Sequence, residues 1–179
     1  MQMPILIRHK TIMAVASVLS LLFLLLGTTS CSRSEKPKDE KMGIVAIMPL
    51  TGPVSYLGQQ ELAGLRVAVD EINASGGING IQLQLIAEDT QGNPKTAVTI
   101  AQKYATTKGI SLFVVTTSKA VKAVAPICEE AKIPLAAICS DPDITSLSPI
   151  IFRPYMSFES EAALLGDFAR SKKWKEVAF

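Results

Sequence analysis

Three short segments of the 179-residue chain concentrate hydroxyl groups: "LTGPVSYLG" at 50–58, "VTTSKA" at 115–120 and "ICSDPD" at 138–143. Hydroxyls and free backbone amides bind carboxylates, ammonium groups and other small polar ligands by hydrogen bonding, and do no covalent chemistry unaided. The groups that catalysis needs are scarce. His9 is the sole histidine, and it lies in what reads as an export signal, so the mature chain has no histidine to act as base or metal ligand. A Ser-His-Asp triad is thereby excluded, and G-x-S-x-G is absent. Asp141 and Asp143 could pair as carboxylates, but "SDPD" is also ordinary turn composition, and the turn is the better reading. Glu88, Asp89, Glu129 and Glu130 read as solvated ends of elements.

The first segment has the place of a nucleotide loop without its residues. Gly52 and Gly58 match neither G-x-G-x-x-G nor a phosphate loop, and no lysine follows them. "GGINGI" at 76–81 follows a helical pattern rather than opening one. What remains at Thr51 to Gly58 is a strand-to-helix loop whose free amides favour a carboxylate. Ser118, taken alone, caps a helix before it serves a ligand. Three polar strand ends on one sheet edge make a binding rim the better joint reading, because ligands of open α/β sheets settle outside the carboxyl ends of the strands.

The elements that carry these segments follow from periodicity. "GIVAIM" is a buried strand, and Leu62, Leu65, Val69 and Ile72 repeat at helical spacing up to the glycines at 76–77. Ile81, Leu83 and Leu85 alternate with Gln82 and Gln84 as a second strand. Asn93 caps the next helix, with Pro94 at its first position and Ala97, Ala101, Tyr104 and Ala105 on one face. "GISLFVV" is a third strand, "SKAVKAVAPICEEAK" a third helix, kinked or started late by Pro126, and "IPLAAI" a fourth strand. The alternation predicts an α/β fold with a doubly wound, mostly parallel sheet. After a polar loop, "IFRPY" reads as a strand leaving the sheet. Ser157 then caps a helix with Leu164, Leu165 and Phe168 on its apolar face, running to about Lys172. Val177, Ala178 and Phe179 read as the opening of a buried strand that lacks later partners.

Residues 1–30 stand apart. "RHK" precedes an uncharged apolar run from Thr11 to Ser32, which is the pattern of an export signal, with a permanent transmembrane helix as the alternative. The run drops to small residues before Cys31, as a signal peptidase requires. "SRSEKPKDEK" at 32–41 holds no large apolar side chain and reads as a polar tether. Lys and Arg total 18 and Asp and Glu 16. Without Arg8 and Lys10 of the signal, the basic and acidic counts are equal, so there is no electrostatic invitation to nucleic acid. Cys128 and Cys139 read as buried free thiols rather than a disulfide.

Cys31 with its small-residue approach, "PLTGP", "AVDEINASGGINGIQLQLIAED", "DTQGNP", "TTSKAVKAVAPICEEAKIPL" and "DPDIT…IFR" occur in that order. The set resembles the N-terminal portion of type I periplasmic solute-binding proteins, specifically the branched-chain amino acid (Leu/Ile/Val) binding family of ABC importers, over residues 43–179. The resemblance implies a lipoprotein signal peptide at 1–30, a lipidated Cys31 and tether at 31–42, and a first ligand-binding lobe at 43–153. It makes 154–179 the incomplete start of a second lobe, with the product as given truncated, so that the isolated chain is expected to bind weakly and expose apolar strand edges. It implies an exported, membrane-anchored, periplasmic or cell-surface protein that meets ABC permease and ATPase subunits, needs no cofactor and is not an enzyme.

In such proteins the loops matching Thr117 and Ser118, and Cys139, Ser140 and Asp141, grip the solute's α-carboxylate and ammonium. The loop matching Ser55 to Gly58 contributes an aromatic that covers the ligand. Tyr56 stands one place before the usual aromatic position, which Leu57 occupies. Asp141 stands near a position where relatives carry Thr, and its carboxylate repels a carboxylate and attracts an ammonium, so a solute that differs from leucine, isoleucine or valine in polarity or identity is expected. The rival from another class is a ligand-sensing extracytoplasmic receptor domain of the same fold. An exported α/β enzyme would need a nucleophile and base that are not found.

Overall fold

The structure is a computed structural model that describes residues 41–176. The signal, Cys31 and most of the tether, and Val177 to Phe179 at the other end, lie outside the described residues. In chain order the elements are β1 (Lys41–Met48), α1 (Ser55–Ala74), β2 (Gln82–Asp89), α2 (Pro94–Ala105), β3 (Ile110–Thr116), α3 (Ser118–Ala131), β4 (Leu135–Ile138), a 3-10 turn (Pro142–Ser146), β5 (Ile151–Phe152) and α4 (Phe158–Ser171). The five strands form one sheet in the order β2-β1-β3-β4-β5, and every pairing is parallel.

Side-chain alternation along β1 divides the core into two layers. Val45 and Ile47 face α2 and α3, where Ala97, Ala101, Val121, Val124 and Cys128 pack with Phe113, Val115 and Leu135. Ile44, Ala46 and Met48 face α1, where Leu62 and Val69 pack with Leu83, Val114 and Ala136. Helices on both faces of a parallel sheet are the doubly wound arrangement expected from the sequence.

Local signals explain the boundaries. Asn93 caps α2 by accepting from the Lys95 amide at 2.9 Å, and Pro94 follows at the first helical position. The Asn73 side chain bonds both the amide and the carbonyl of Leu83, tying the end of α1 to β2. Gly77, at φ +79°, lies so close to the turn that a Cβ would stand 2.1 Å from the Ile81 carbonyl oxygen, which is why only glycine fits there.

Several expectations need correction. "IFRPY" does not leave the sheet: Ile151 and Phe152 pair with Leu135 and Ala136 as a fifth strand. Pro126 does not delay α3, which starts at Ser118 and runs through it. The helix capped by Ser157 forms as expected, but it buries none of its residues, and Leu164, Leu165 and Phe168 are at least half exposed. Cys128 and Cys139 are free and buried, as expected, and desolvation pushes the Cys128 thiol up to about 12.

Candidate functional site

The strand order puts the three hydroxyl-rich segments side by side. β1 leads into α1 on one face and β3 leads into α3 on the other, so the sheet has its topological switch point between β1 and β3, and the carboxyl edge at such a point is where open α/β sheets bind ligands. Ile47 pairs with Val115 and Thr116 with Ile138, which levels the three strand ends.

The loop after β1 is held by a carboxylate of the chain itself. Asp89, at the end of β2, accepts from the amides of Leu50 (2.8 Å), Thr51 (3.2 Å) and Gln91 (2.8 Å) and from the Thr51 hydroxyl (2.5 Å). Burial pushes this carboxyl up, but the four hydrogen bonds outweigh it and hold the group below its ordinary range. Asp89 is therefore not a solvated end. Glu88 is not one either, since it accepts from Tyr104 and Lys103, whereas Glu129 and Glu130 are exposed as expected. Gly58 of α1 packs against the start of this loop: a Cβ there would stand 2.3 Å from the Pro49 carbonyl oxygen. Ser55, Tyr56 and Leu57 belong to the first turn of α1 rather than to the loop, and Tyr56 and Leu57 are 59% and 38% exposed. Val54 at the N-cap offers no side-chain bond, and backbone carbonyls take its place: the Ser55 amide donates to Gly52 and the Leu57 amide to Val54.

The turn after β3 is strained. Thr117 has φ +79° and ψ 136°, a region that costs a β-branched residue about 1–3 kcal/mol. Its amide donates to the Ile138 carbonyl at 3.3 Å, joining the ends of β3 and β4. Thr117, not Ser118, is the cap of α3, accepting from the Ala120 amide, so the capping role does not occupy the Ser118 hydroxyl. The Thr116 hydroxyl, at the end of β3, donates to Glu61 of α1 at 2.5 Å, tying that helix to the strand end. Desolvation raises the half-buried Glu61 carboxyl, and the Thr116 bond only partly offsets it.

Past β4, Cys139 is buried, and the Ser140 carbonyl accepts from the Phe158 amide at the start of α4. Asp141 is the hub of this corner. One carboxylate oxygen accepts from the Asp143 amide and so caps the 3-10 turn, and the other lies 2.6 Å from the Lys122 ammonium of α3. Its carbonyl accepts from Arg153 at 2.7 Å. The Lys122 bond is the largest influence holding Asp141 below its ordinary range, and the same pair raises Lys122. "SDPD" is thus a turn, as expected. Among the described residues no group of three or more His, Cys, Asp or Glu could hold a metal ion.

A family model described as "Periplasmic binding protein" matches residues 41–179. The chain belongs to that family. "Leu/Ile/Val-binding protein BraC3" of Rhizobium johnstonii is 37% identical over 140 residues, which are 78% of this chain and 35% of that protein. Among solved structures, the branched-chain amino acid transporter substrate binding protein LivJ from Streptococcus pneumoniae, in complex with isoleucine, superposes with TM-score 0.61 at 26% identity over 65% of this chain and 34% of that one. An ABC transporter substrate-binding protein from Desulfitobacterium hafniense, in complex with Leu, superposes with TM-score 0.65 at 25% identity over 74% of this chain and 39% of that one. The chain thus spans little more than a third of the length of these proteins.

The structure gathers Thr117, Ser118, Cys139, Ser140 and Asp141 at the adjoining ends of β3 and β4, with Ser55, Tyr56 and Leu57 beyond the end of the neighbouring β1. Sequence reasoning missed Asp89, Glu61, Lys122 and Arg153. Two carried a signal. Glu61 is a polar residue between Gly58 and Leu62 on the apolar face of α1, and Lys122 stands four residues after Ser118, one turn along the same side of α3.

Proposed function

We propose that the chain supplies one wall of the solute site in the extracytoplasmic binding protein of an ABC importer, and that the solute is a branched-chain amino acid or a similar small amino-acid-like molecule. The observation that carries the reading is the convergence of three polar strand ends on the switch point of the sheet. Ser118, whose hydroxyl is not the helix cap, and the amides at the start of α3 receive the α-carboxylate. The main chain of Cys139 and Ser140 receives the rest of the head group, beside an Asp141 carboxylate that is already paired with Lys122. Tyr56 and Leu57, exposed on the first turn of α1, are the apolar groups available to cover the side chain. In this reading residues 43–153 are the first lobe and 154–179 begin the second.

The same proposal makes 1–30 a signal peptide and Cys31 a lipidated residue that anchors the protein to a membrane outside the cytoplasm, where permease and ATPase subunits receive its solute. No cofactor enters the reading. The likeness to transporter binding proteins favours the importer over a sensing domain of the same fold. Titration calorimetry on the natural product, isolated from its own membrane fraction, tests the solute: leucine, isoleucine or valine should bind, and heat-silent titrations with all three would remove the proposal. The intact mass of that product tests the anchor, since a lipidated cysteine adds the mass of its acyl chains and an unmodified thiol at Cys31 overturns the anchor.

A further inference from the structure

The corner after β4 contains a charge that opposes the carboxylate of the proposed solute. Asp141 lies at the strand end that receives the amino-acid head group, and its carboxylate repels a solute carboxylate bound near Ser118. Three cationic or polar groups face it. Arg153 bonds its carbonyl oxygen, not its carboxylate, and the Asp143 amide takes Oδ1. Among the described residues only the Lys122 ammonium meets Oδ2, at 2.6 Å. Lys122 stands one helical turn beyond Ser118 on α3, so the neutralising charge comes from the helix whose first turn carries the candidate carboxylate ligand. The Lys122 side chain remains 51% exposed and that of Asp141 19%. The pair therefore sits at the rim, where its charges reach a solute through solvent and protein together.

We propose that Lys122 is a specificity-determining residue, whose ammonium cancels the Asp141 carboxylate at the rim and so admits a solute that carries a carboxylate. The proposal rests on the solute-binding reading given above. It also removes the physical ground for expecting Asp141 to exclude leucine-like solutes: with Lys122 in place the corner is neutral, and with Lys122 gone it selects for cations. Lys122 is a positioning residue for charge, acting on the solute through Asp141.

The test uses the full natural product and four variants, Lys122→Met, Lys122→Arg, Asp141→Asn and the double variant Lys122→Met with Asp141→Asn. Each is titrated with leucine, with isoamylamine, which lacks the carboxylate, and with 4-methylpentanoate, which lacks the ammonium. Lys122→Met should weaken leucine and 4-methylpentanoate by about tenfold, the size of one close charge interaction at a partly solvated site, while isoamylamine tightens. Lys122→Arg should keep the wild-type order, and the double variant should recover leucine binding to within about threefold. Leucine affinity unchanged in Lys122→Met overturns the role of Lys122 and leaves the solute reading standing. A double variant as weak as Lys122→Met also overturns it, because Lys122 would then act on the solute or the fold rather than through Asp141. A wild-type product that binds none of leucine, isoleucine and valine overturns the solute reading itself, and this inference with it.

Discussion

Asp89, the last residue of β2, and Asp141, in the loop after β4, lie at the carboxyl edge on opposite sides of the sheet, yet the chain uses them differently. Asp89 accepts three backbone amides and one hydroxyl and, among the described residues, pairs with no cation. Asp141 accepts one amide and pairs with an exposed lysine. A carboxylate held by backbone amides is part of the loop and cannot be exchanged without unmaking it. One balanced by a surface ammonium keeps its charge available to the solvent side, because an exposed pair is screened and contributes little to the fold. The side near β1 is built for shape, and the side near β4 for charge.

The sharpest ways to break that contrast act on the β1 side. Gly58→Ala would drive a Cβ into the Pro49 carbonyl, which now lies where that atom must go. Neither partner is a flexible side chain, so the loop has to shift, and the expected loss is about 3 kcal/mol by chemical denaturation. A midpoint within error of wild type would mean that the loop is not held in the form described. Asp89→Ala should cost somewhat less, about 2 kcal/mol, because it leaves the partly buried Leu50 amide without its acceptor. If that variant unfolds at the wild-type denaturant concentration, Asp89 is no more structural than Asp141 and the contrast falls.

Much of this was legible in the sequence, for reasons that differ by element. β1 and β3 are apolar runs buried on both faces, and α2 announces itself through Asn93 and Pro94, so local pattern and tertiary role agree. β5 reads as a strand from its sequence, but its place in the sheet does not, because that depends on pairing with Leu135 and Ala136 rather than on its own two residues. Asp89 and Glu88 read as solvated because their partners lie 38 and 16 residues away in the chain, at Thr51 and Tyr104. The rim was visible as composition, three polar strand ends. Its wiring was not, since the Lys122 to Asp141 and Thr116 to Glu61 contacts depend on how helices sit over the sheet.

Glu61, bonded to the end of β3, is a third kind of carboxylate. Desolvation raises its carboxyl above the ordinary 4.5, so the folded chain keeps that proton at pH values where the unfolded chain has released it. Stability from this group therefore falls as pH rises from 4.5 through the raised folded value. Asp89 and Asp141 have lowered values, and their contributions are lost only at pH below their ordinary 3.8, as pH falls through the folded value. Glu61→Gln should melt higher than wild type at pH 7 and lose the decline with rising pH above 4.5. A wild-type pH profile in the variant would assign the decline to another group.

The smallest expected effect is on the β4 side, and its smallness is the point. Lys122→Met removes the partner of Asp141 but leaves the Asp143 amide on Oδ1 and Arg153 on the carbonyl, so the 3-10 turn keeps its cap and its tether. The ammonium is on the surface, and losing a screened pair should leave the denaturation midpoint indistinguishable from wild type. Titration by NMR should nevertheless find the Asp141 carboxyl moved upward, because the Lys122 hydrogen bond is the largest influence lowering it. An unmoved midpoint with a moved carboxyl separates charge from architecture at this corner. A marked fall in the midpoint would instead make Lys122 structural in the way Asp89 is, and the two sides of the sheet would no longer differ in kind.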